Sequence, residues 1–291
     1  MKINATEKAS LSELLIKEFD SGTRSGVKKI ILHGNVQVNG KTIVRPDFRV
    51  DPGDVVEYRK FKAPEATADC PFPVLYEDDD LIMVVKPAGI LTYGEKGSKG
   101  TSLYRELTEF LRNRSKSGER IYVVHRLDRE VSGILMFAKS EKVQEQIKEH
   151  WKETVKRYYA LVEGRPSAEA GILTNWLVEG KDQKMFIVRN EQANAKLAIT
   201  HFKTMKKLPG YTLLEIELGS GRKHQIRAQL SEFGCPVVGD YKYGAHDKVK
   251  RRIRLHAFYF QFNHPVTKES LEFKTPMPRG FLTLAEKDER Y

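Results

Sequence analysis

Apolar residues fall along this chain in two kinds of pattern. Runs rich in β-branched and aromatic residues occupy 81–85, 134–138, 155–163, 199–205, 211–218 and 255–262, and each predicts a strand. A helical pattern follows Ser140, a residue suited to capping, with Val143, Ile147 and Trp151 spaced by four; it predicts a helix through Lys152. A second helix is expected to start near Arg222 to His224. Strands outnumber helices and do not alternate with them, which disfavours a doubly wound nucleotide-binding fold, and no Gly-x-Gly-x-x-Gly or phosphate-loop pattern occurs. The expected class is α+β, with a mixed, largely antiparallel sheet in the larger domain.

The first 62 residues have a pattern of their own. Leu11, Leu14, Leu15 and Phe19 share one helical face, and Val27, Ile30 and Ile31 follow the polar break Thr23-Arg24-Ser25-Gly26, so two short helices are predicted. The segment from Gly34 then alternates like a strand and ends in Asn39-Gly40, a strong hairpin signal, while Asp51-Pro52-Gly53-Asp54 marks another turn. Residues 63–73, with Pro64, Pro71 and Pro73, have linker composition. The expected division is therefore 1–62, a small α/β domain; 63–73, a linker; and 74–291, the larger domain.

Charge interrupts the apolar pattern most sharply at His125-Arg126-Leu127-Asp128-Arg129-Glu130, between the strand-like run at 121–124 and the one that opens at Gly133. A carboxylate beside two guanidinium groups on a loop between strands suits nucleophilic or acid-base work on an anionic substrate, and equally suits a structural ion pair. Composition adds a direction. Fifty Lys and Arg against 39 Asp and Glu give a net charge of +11, which attracts polyanions such as RNA. The two cysteines, Cys70 and Cys235, provide neither a disulfide framework nor paired metal-ligand spacing, which points to a reduced, cytoplasmic setting. No apolar run approaches the roughly 20 residues that span a bilayer. His224, His256 and His264 are scattered rather than spaced as ligands, so no metal is expected.

The loop and its sequel, His125-Arg126-Leu127-Asp128 through Ser132-Gly133 to Phe137-Ala138-Lys139, resemble the signature of the RluA family of RNA pseudouridine synthases. The resemblance continues in Tyr76-Glu77-Asp78, Lys86-Pro87-Ala88-Gly89, the segment from Lys156 to Gly164, Gly221 to Arg227, Gly239 to Gly244, Leu255-His256-Ala257 and His264-Pro265, covering roughly 74–280. Residues 24–58 resemble the αL RNA-binding module named after a small-subunit ribosomal protein, although Ser10-Leu11-Ser12-Glu13 stands where that module usually opens with Arg-Leu-Asp. The chain also departs from the RluA pattern after Gly89. It has Leu91-Thr92-Tyr93 where the family often has a valine-histidine-proline run.

The resemblance implies isomerisation of uridine to pseudouridine. The bond from nitrogen 1 to the ribose breaks, the uracil turns, and carbon 5 rejoins the ribose. Nothing is oxidised or hydrolysed, so no cofactor is expected. It further implies that Asp128 is the catalytic carboxylate, as nucleophile or as base, that Arg227 pairs with it, and that Tyr158 stacks on the base and accepts its carbon 5 proton. Tyr159, on the opposite strand face, is left out. Arg126 is expected to occupy the place of the flipped base, offsetting an unstacking cost of roughly a few kcal/mol. Arg222 and Lys223, near a helix start, are candidates for phosphate, as are Arg24, Lys28 and Lys29 of the small domain, where Arg24 and Lys28 fall on one helical face. The basic run 248–254 suits steering of RNA or an ordinary solvated face, and His125 a hydrogen-bonded support. The expected partner is large-subunit ribosomal RNA, with tRNA as the alternative, and the expected state is a monomer. A ribosome-assembly factor that has lost activity is disfavoured by the presence of Asp128, Tyr158 and Arg227 together. A two-acid glycosidase is disfavoured because Glu130 has no matching role.

Overall fold

The computed structural model describes residues 2–18, 27, 31, 36–43, 45–58, 70–94, 101–114, 119–246 and 252–283. The chain divides into two compact units, Met1–Asp69 with Leu271–Phe273, and Cys70–Ser270 with Lys274–Tyr291. Among the described residues no helix is long and apolar enough to cross a membrane.

In the first unit, β1 (Lys2–Asn4), β3 (Val36–Val38), β4 (Lys41–Thr42) and β6 (Val55–Tyr58) form a sheet in the order β1-β6-β3-β4, while β2 (Ala9–Ser10) pairs with β5 (Arg49–Val50). Helix α1 (Leu11–Glu18) begins at a reciprocal cap. The Glu13 N–H donates to Ser10 Oγ at 3.2 Å, and the Ser10 N–H donates to Glu13 Oε2 at 2.9 Å. Leu11, Leu14 and Leu15 pack with Val27, Ile31, Val36, Val38 and Val56 in one core. The Asn39-Gly40 turn closes the β3–β4 hairpin with both residues at positive φ, 50° and 75°, as a two-residue hairpin of matching twist needs.

The second unit is built on one long sheet. Its strands are β7 (Val74–Glu77), β8 (Leu81–Lys86), β10 (Ser132–Ala138), β11 (Val155–Glu163), β12 (Ala170–Glu179), β13 (Met185–Val188), β14 (Lys196–Leu208), β15 (Tyr211–Leu218) and β16 (Leu255–Asn263), in the order β13-β12-β14-β15-β11-β16-β10-β8-β7, with the short β9 (Tyr122–Val123) beside β10. Along this path every pairing is antiparallel except β10 with β16. The sheet is mixed and largely antiparallel, as the strand-rich sequence predicts.

Where β10 runs parallel to β16, Gly133 lies opposite Ala257 at φ +127°. A Cβ there would stand 2.2 Å from the Ala257 carbonyl oxygen, so only glycine allows this approach. His256 bolts the same place. Its ring nitrogens bond Ser132 Oγ at 2.8 Å and Thr275 Oγ1 at 2.9 Å, and burial lowers its pKa to about 4. Among the described residues three α-helices lie in this unit. Helix α2 (Leu103–Arg114) buries Leu103, Leu107 and Leu111. Helix α3 (Glu141–Glu149) is capped by Ser140, whose Oγ accepts the Val143 N–H. Helix α4 is Gln225–Glu232.

One expectation needs correcting. Helix α3 stops at Glu149 rather than Lys152, and a short 3-10 turn, Trp151–Glu153, follows. The Trp151 ring packs against His125 and Phe260, 5.1 and 5.8 Å between centroids, with the Lys156 ammonium 4.5 Å from its centre, so packing overrides the helical period. Helix α2 and the β12–β13 hairpin were not predicted.

Candidate active site

Strand β10 is preceded by the loop that carries His125 to Val131, and the loop is held from three sides. Apolar Leu127 and Val131 are buried in the main core. Thr92 Oγ1 donates to the Leu127 carbonyl at 2.8 Å and accepts the Leu127 N–H at 3.1 Å. The Lys86 ammonium, fully buried, donates to the carbonyls of Arg129, Ile90 and Pro87 at 3.1, 2.7 and 3.0 Å, and the Gly89 N–H reaches Arg129 O at 2.8 Å. Burial lowers the Lys86 pKa to about 8, opposed by the charges of Asp128 and Glu130. The three carbonyl bonds make that burial tolerable.

His125 supports the loop from beneath. Its Nε2 accepts the Met136 N–H at 3.0 Å, and its ring stacks on Phe260 at 5.3 Å. Burial, with the nearby Lys156 charge, lowers its pKa to about 3, so it is a neutral acceptor at physiological pH.

Asp128 is thereby presented to Arg227, 99 residues away on the first turn of α4. Arg227 Nη1 donates to Asp128 Oδ2 at 2.9 Å. The other edge of the same guanidinium makes a fork to Asp240, with Nε to Oδ2 at 2.6 Å and Nη2 to Oδ1 at 2.9 Å. Asp240 is buried, and the guanidinium carbon lies 5.0 Å from the Tyr243 ring centre. Burial would lower the pKa of Arg227, but the two carboxylates outweigh it and the net direction is upward. Fixed along its plane by Asp240 and across its face by Tyr243, the cation has one edge to give, and Asp128 takes it.

His224 takes the left-handed conformation, φ 51°, just before α4, and its Nε2 stands 3.7 Å from Asp128 Oδ2. Its Nδ1 is 2.9 Å from Tyr243 Oη, which also accepts the Met185 N–H. Burial lowers the His224 pKa to about 4 against the pull of Asp128, leaving a neutral imidazole beside the carboxylate.

Asp128, Tyr158, Arg126, Arg222, His224 and Arg227 line one open cleft, with Leu127, Val131, Leu218, Ile226 and Leu255 as its apolar lining. Tyr158 is buried to 9% exposure, and burial first, then the Asp128 charge, raises its pKa. Such a hydroxyl stays protonated. Among the described residues it has no hydrogen-bond partner, so it faces the cleft with its bonding capacity unspent. Tyr159 turns to the other face, stacked at 3.8 Å on Phe258.

At the mouth, Arg126 is exposed, Arg222 donates through Nε to the Leu197 carbonyl at 3.1 Å, and Lys223 pairs with Glu179. The helix start offers less to phosphate than expected, since the Arg222 N–H is taken by Gln225 Oε1 at 3.0 Å. Arg24, Lys28 and Lys29 lie outside the described residues, as do Lys248, Lys250 and Arg251. Arg254 is tied to the Thr283 carbonyl at 3.0 Å. His264 is less isolated than its place in the sequence suggests, because it meets Asp78 and Asp80 with all ligand atoms within 4.8 Å. The geometry is that of a staple. His264 Nδ1 accepts the N–H groups of Val266 and Thr267, which leaves Nε2 to donate to Asp78 at 3.0 Å rather than to ligate.

Asp240 and Tyr243 are the functional positions that residue-level reading missed. The available signal was a lone acid inside the apolar run Val237-Val238-Gly239-Asp240, where an unpaired carboxylate would be expensive.

Comparison with known proteins gives the arrangement its context. The model of a family described as RNA pseudouridylate synthase matches residues 80–232, more than half the chain, and an S4 domain model matches 21–56. The chain is 30% identical to the uncharacterized RNA pseudouridine synthase YlyB of Bacillus subtilis, over 95% of this chain and 93% of that one. It is 31% identical to ribosomal large subunit pseudouridine synthase D of Buchnera aphidicola, over 95% and 92%. Among solved structures, human RNA pseudouridylate synthase domain containing 4 superposes with a TM-score of 0.59 at 25% identity, covering 72% of this chain and 90% of the other.

Proposed function

This chain belongs to the RNA pseudouridylate synthase family, and we propose that it isomerises uridines of large-subunit ribosomal RNA with Asp128 as the group that attacks or deprotonates the ribose. The observation that carries this reading is the Arg227 guanidinium, locked by Asp240 and giving its remaining edge to Asp128 in the same cleft as Tyr158. A carboxylate so held keeps its orientation, and the His224 imidazole beside it is neutral. The ribosomal target is favoured by the relatives from Buchnera and Vibrio, each a ribosomal large subunit pseudouridine synthase D.

In this reading Asp128 acts on the ribose of a flipped uridine while the apolar floor of the cleft, Leu127, Val131, Ile226 and Leu255, keeps the detached uracil out of water. The uracil turns, carbon 5 joins the ribose, and the carbon 5 proton leaves. Tyr158, protonated and stacked on the base, takes that proton on its oxygen as its own hydroxyl proton passes to solvent, and nitrogen 1, freed from the ribose, gains a proton in exchange. The atoms balance within one nucleotide, so the chemistry requires neither an oxidant nor a metal-bound water. Arg126 enters the stack in place of the base. Arg222 and Lys223 hold phosphates at the mouth, and Arg24, Lys28 and Lys29 extend that footprint in the S4 domain.

The test is a map of pseudouridines in RNA from cells with and without this protein, paired with Asp128→Asn in vitro. Loss of one or a few ribosomal sites without the protein, and no product from an Asp128→Asn enzyme that still binds RNA, is expected. A substantial rate from Asp128→Asn would remove the loop from the chemistry. Lost sites confined to tRNA would overturn the ribosomal assignment alone.

A further inference from the structure

The departure at Leu91-Thr92-Tyr93 places a contact at the cleft mouth that the reaction has not yet used. Because Thr92 holds both backbone groups of Leu127, the neighbouring residues Tyr93 and Arg126 are set side by side. Arg126 Nη1 donates to Tyr93 Oη at 3.2 Å, and its guanidinium carbon lies 5.3 Å from the Tyr93 ring centre. Tyr93 is 41% exposed, an aromatic ring left in water beside a cleft whose rim carries Arg126, Arg222 and Lys223.

A guanidinium and a nucleobase are both flat, and both bind the face of an aromatic ring. We propose that Tyr93 is a base-stacking residue of the RNA-binding rim, taking an unpaired nucleotide next to the flipped uridine, and that in the RNA-free protein its ring is the resting seat of Arg126. The inference rests on the reading of Arg126 as the group that enters the RNA stack. When Arg126 leaves the ring for the RNA, the face it vacates is at the right place for a base that the insertion has unstacked. One cation contact is exchanged for one base contact, so Arg126 is kept ordered at the mouth before RNA arrives and is released with little penalty. Thr92 sets the pair in place, since its two bonds to Leu127 fix the spacing of the two backbones.

The experiment measures binding of the full-length protein to two fluorescein-labelled probes, a single-stranded oligouridylate and a fully paired RNA duplex, by fluorescence anisotropy. Tyr93→Leu is expected to weaken oligouridylate binding about fivefold, the lower end of what base stacking on an aromatic contributes. Its effect on the duplex should stay under about twofold by the same principle, since paired bases offer no free face. Tyr93→Phe, which keeps the ring, should bind as the wild type does. Wild-type affinity of Tyr93→Leu for oligouridylate, equal losses on both probes, or a Phe variant as weak as the Leu variant would each overturn the proposal. In an Arg126→Ala background the penalty of Tyr93→Leu should grow, because no guanidinium competes for the ring; a penalty that vanishes there would mean Tyr93 acts only through Arg126. The premise is tested apart from this. If Arg126→Ala slows modification of structured and unstructured RNA equally, the insertion reading fails while the binding result for Tyr93 stands.

Discussion

Replacing Asp240 by asparagine changes one atom type and tests the whole positioning argument. In the native site the Asp240 carboxylate accepts two bonds from Arg227, at 2.6 and 2.9 Å, with side-chain exposures of 8% for Arg227 and 1% for Asp240. An asparagine amide can accept only one of the two and turns an NH₂ group towards the other guanidinium N–H. A charge-assisted bond is lost, and two donors are left face to face in a buried place. Hydrogen bonds to charged groups contribute about 1.5–3 kcal/mol, and stripping a partner from a buried ion pair costs about 3–5 kcal/mol. Arg227 keeps Asp128, so a loss of about 2–4 kcal/mol is expected. The catalytic effect follows from geometry rather than from stability. With the fork gone, the guanidinium plane is free to tilt, Asp128 follows its partner, and a displacement near 1 Å lowers a rate by about a hundredfold. Urea unfolding gives the first quantity, and tritium release from RNA labelled at carbon 5 of uridine, under single turnover and well below the melting temperature, gives the second. RNA affinity should barely move, because Asp240 is buried behind the cleft. A variant destabilised as expected but as fast as the wild type would show that Arg227 serves Asp128 without the fork, and the positioning argument would fall.

The remaining expectations concern fold and pH. Gly133→Ala should lose about 3 kcal/mol or more, through the forced φ of +127° and a Cβ 2.2 Å from the Ala257 carbonyl, read as a lowered urea midpoint; a midpoint within error of the wild type would refute the close approach. Stability should also fall as the pH drops from 6.5 to about 4. His224 and His256, with folded pKa values near 4, and His125, near 3, bind fewer protons folded than unfolded, so their contribution is complete above pH 6.5 and is lost below it. Removing one of them in His256→Asn should flatten the dependence of unfolding free energy on pH by about one proton in that window, and an unchanged slope would mean that His256 is not held neutral.

How much of this could be read in the residues depends on what each element buries. Strands β11 and β15 lie inside the sheet, and their apolar runs end where the strands end, at 155–163 and 211–218. The β12–β13 hairpin sits at the sheet edge. Only Leu177 of β12 is fully covered, and Thr174 and Asn175 interrupt its pattern, so nothing in the run obliges it to be a strand. Helix α2 has a legible period. Leu103, Leu107 and Leu111 repeat every four residues after Ser102, whose Oγ accepts the Arg105 N–H, with charged residues on the faces between them. Helix α3 failed at its end for a different reason. Trp151 continues the spacing of Val143 and Ile147, yet its ring is claimed by His125 and Phe260, both remote in sequence, and by Lys156 of the following strand.

The site divides along the same line. Asp128, Tyr158 and Arg227 were found through a family motif, and no rule of spacing could have joined residues 99 positions apart. What the motif could not convey is why the arginine works. A guanidinium between two carboxylates gives a trio with a net charge of minus one, in which the deeper acid is consumed by the fork and the shallower one is left with a single oxygen bonded and the cleft before it. Which acid is deep follows from backbone placement. Asp240 hangs on the turn after the buried Val237-Val238 pair, whereas Asp128 rides a loop that Thr92 and Lys86 hold at the surface of the sheet. Exchanging those two depths, with the same residues and the same pairings, would bury Asp128 and open Asp240 to the cleft. The role proposed for Asp128 therefore rests on the scaffold in 86–92 and 237–243 as much as on the motif that contains it.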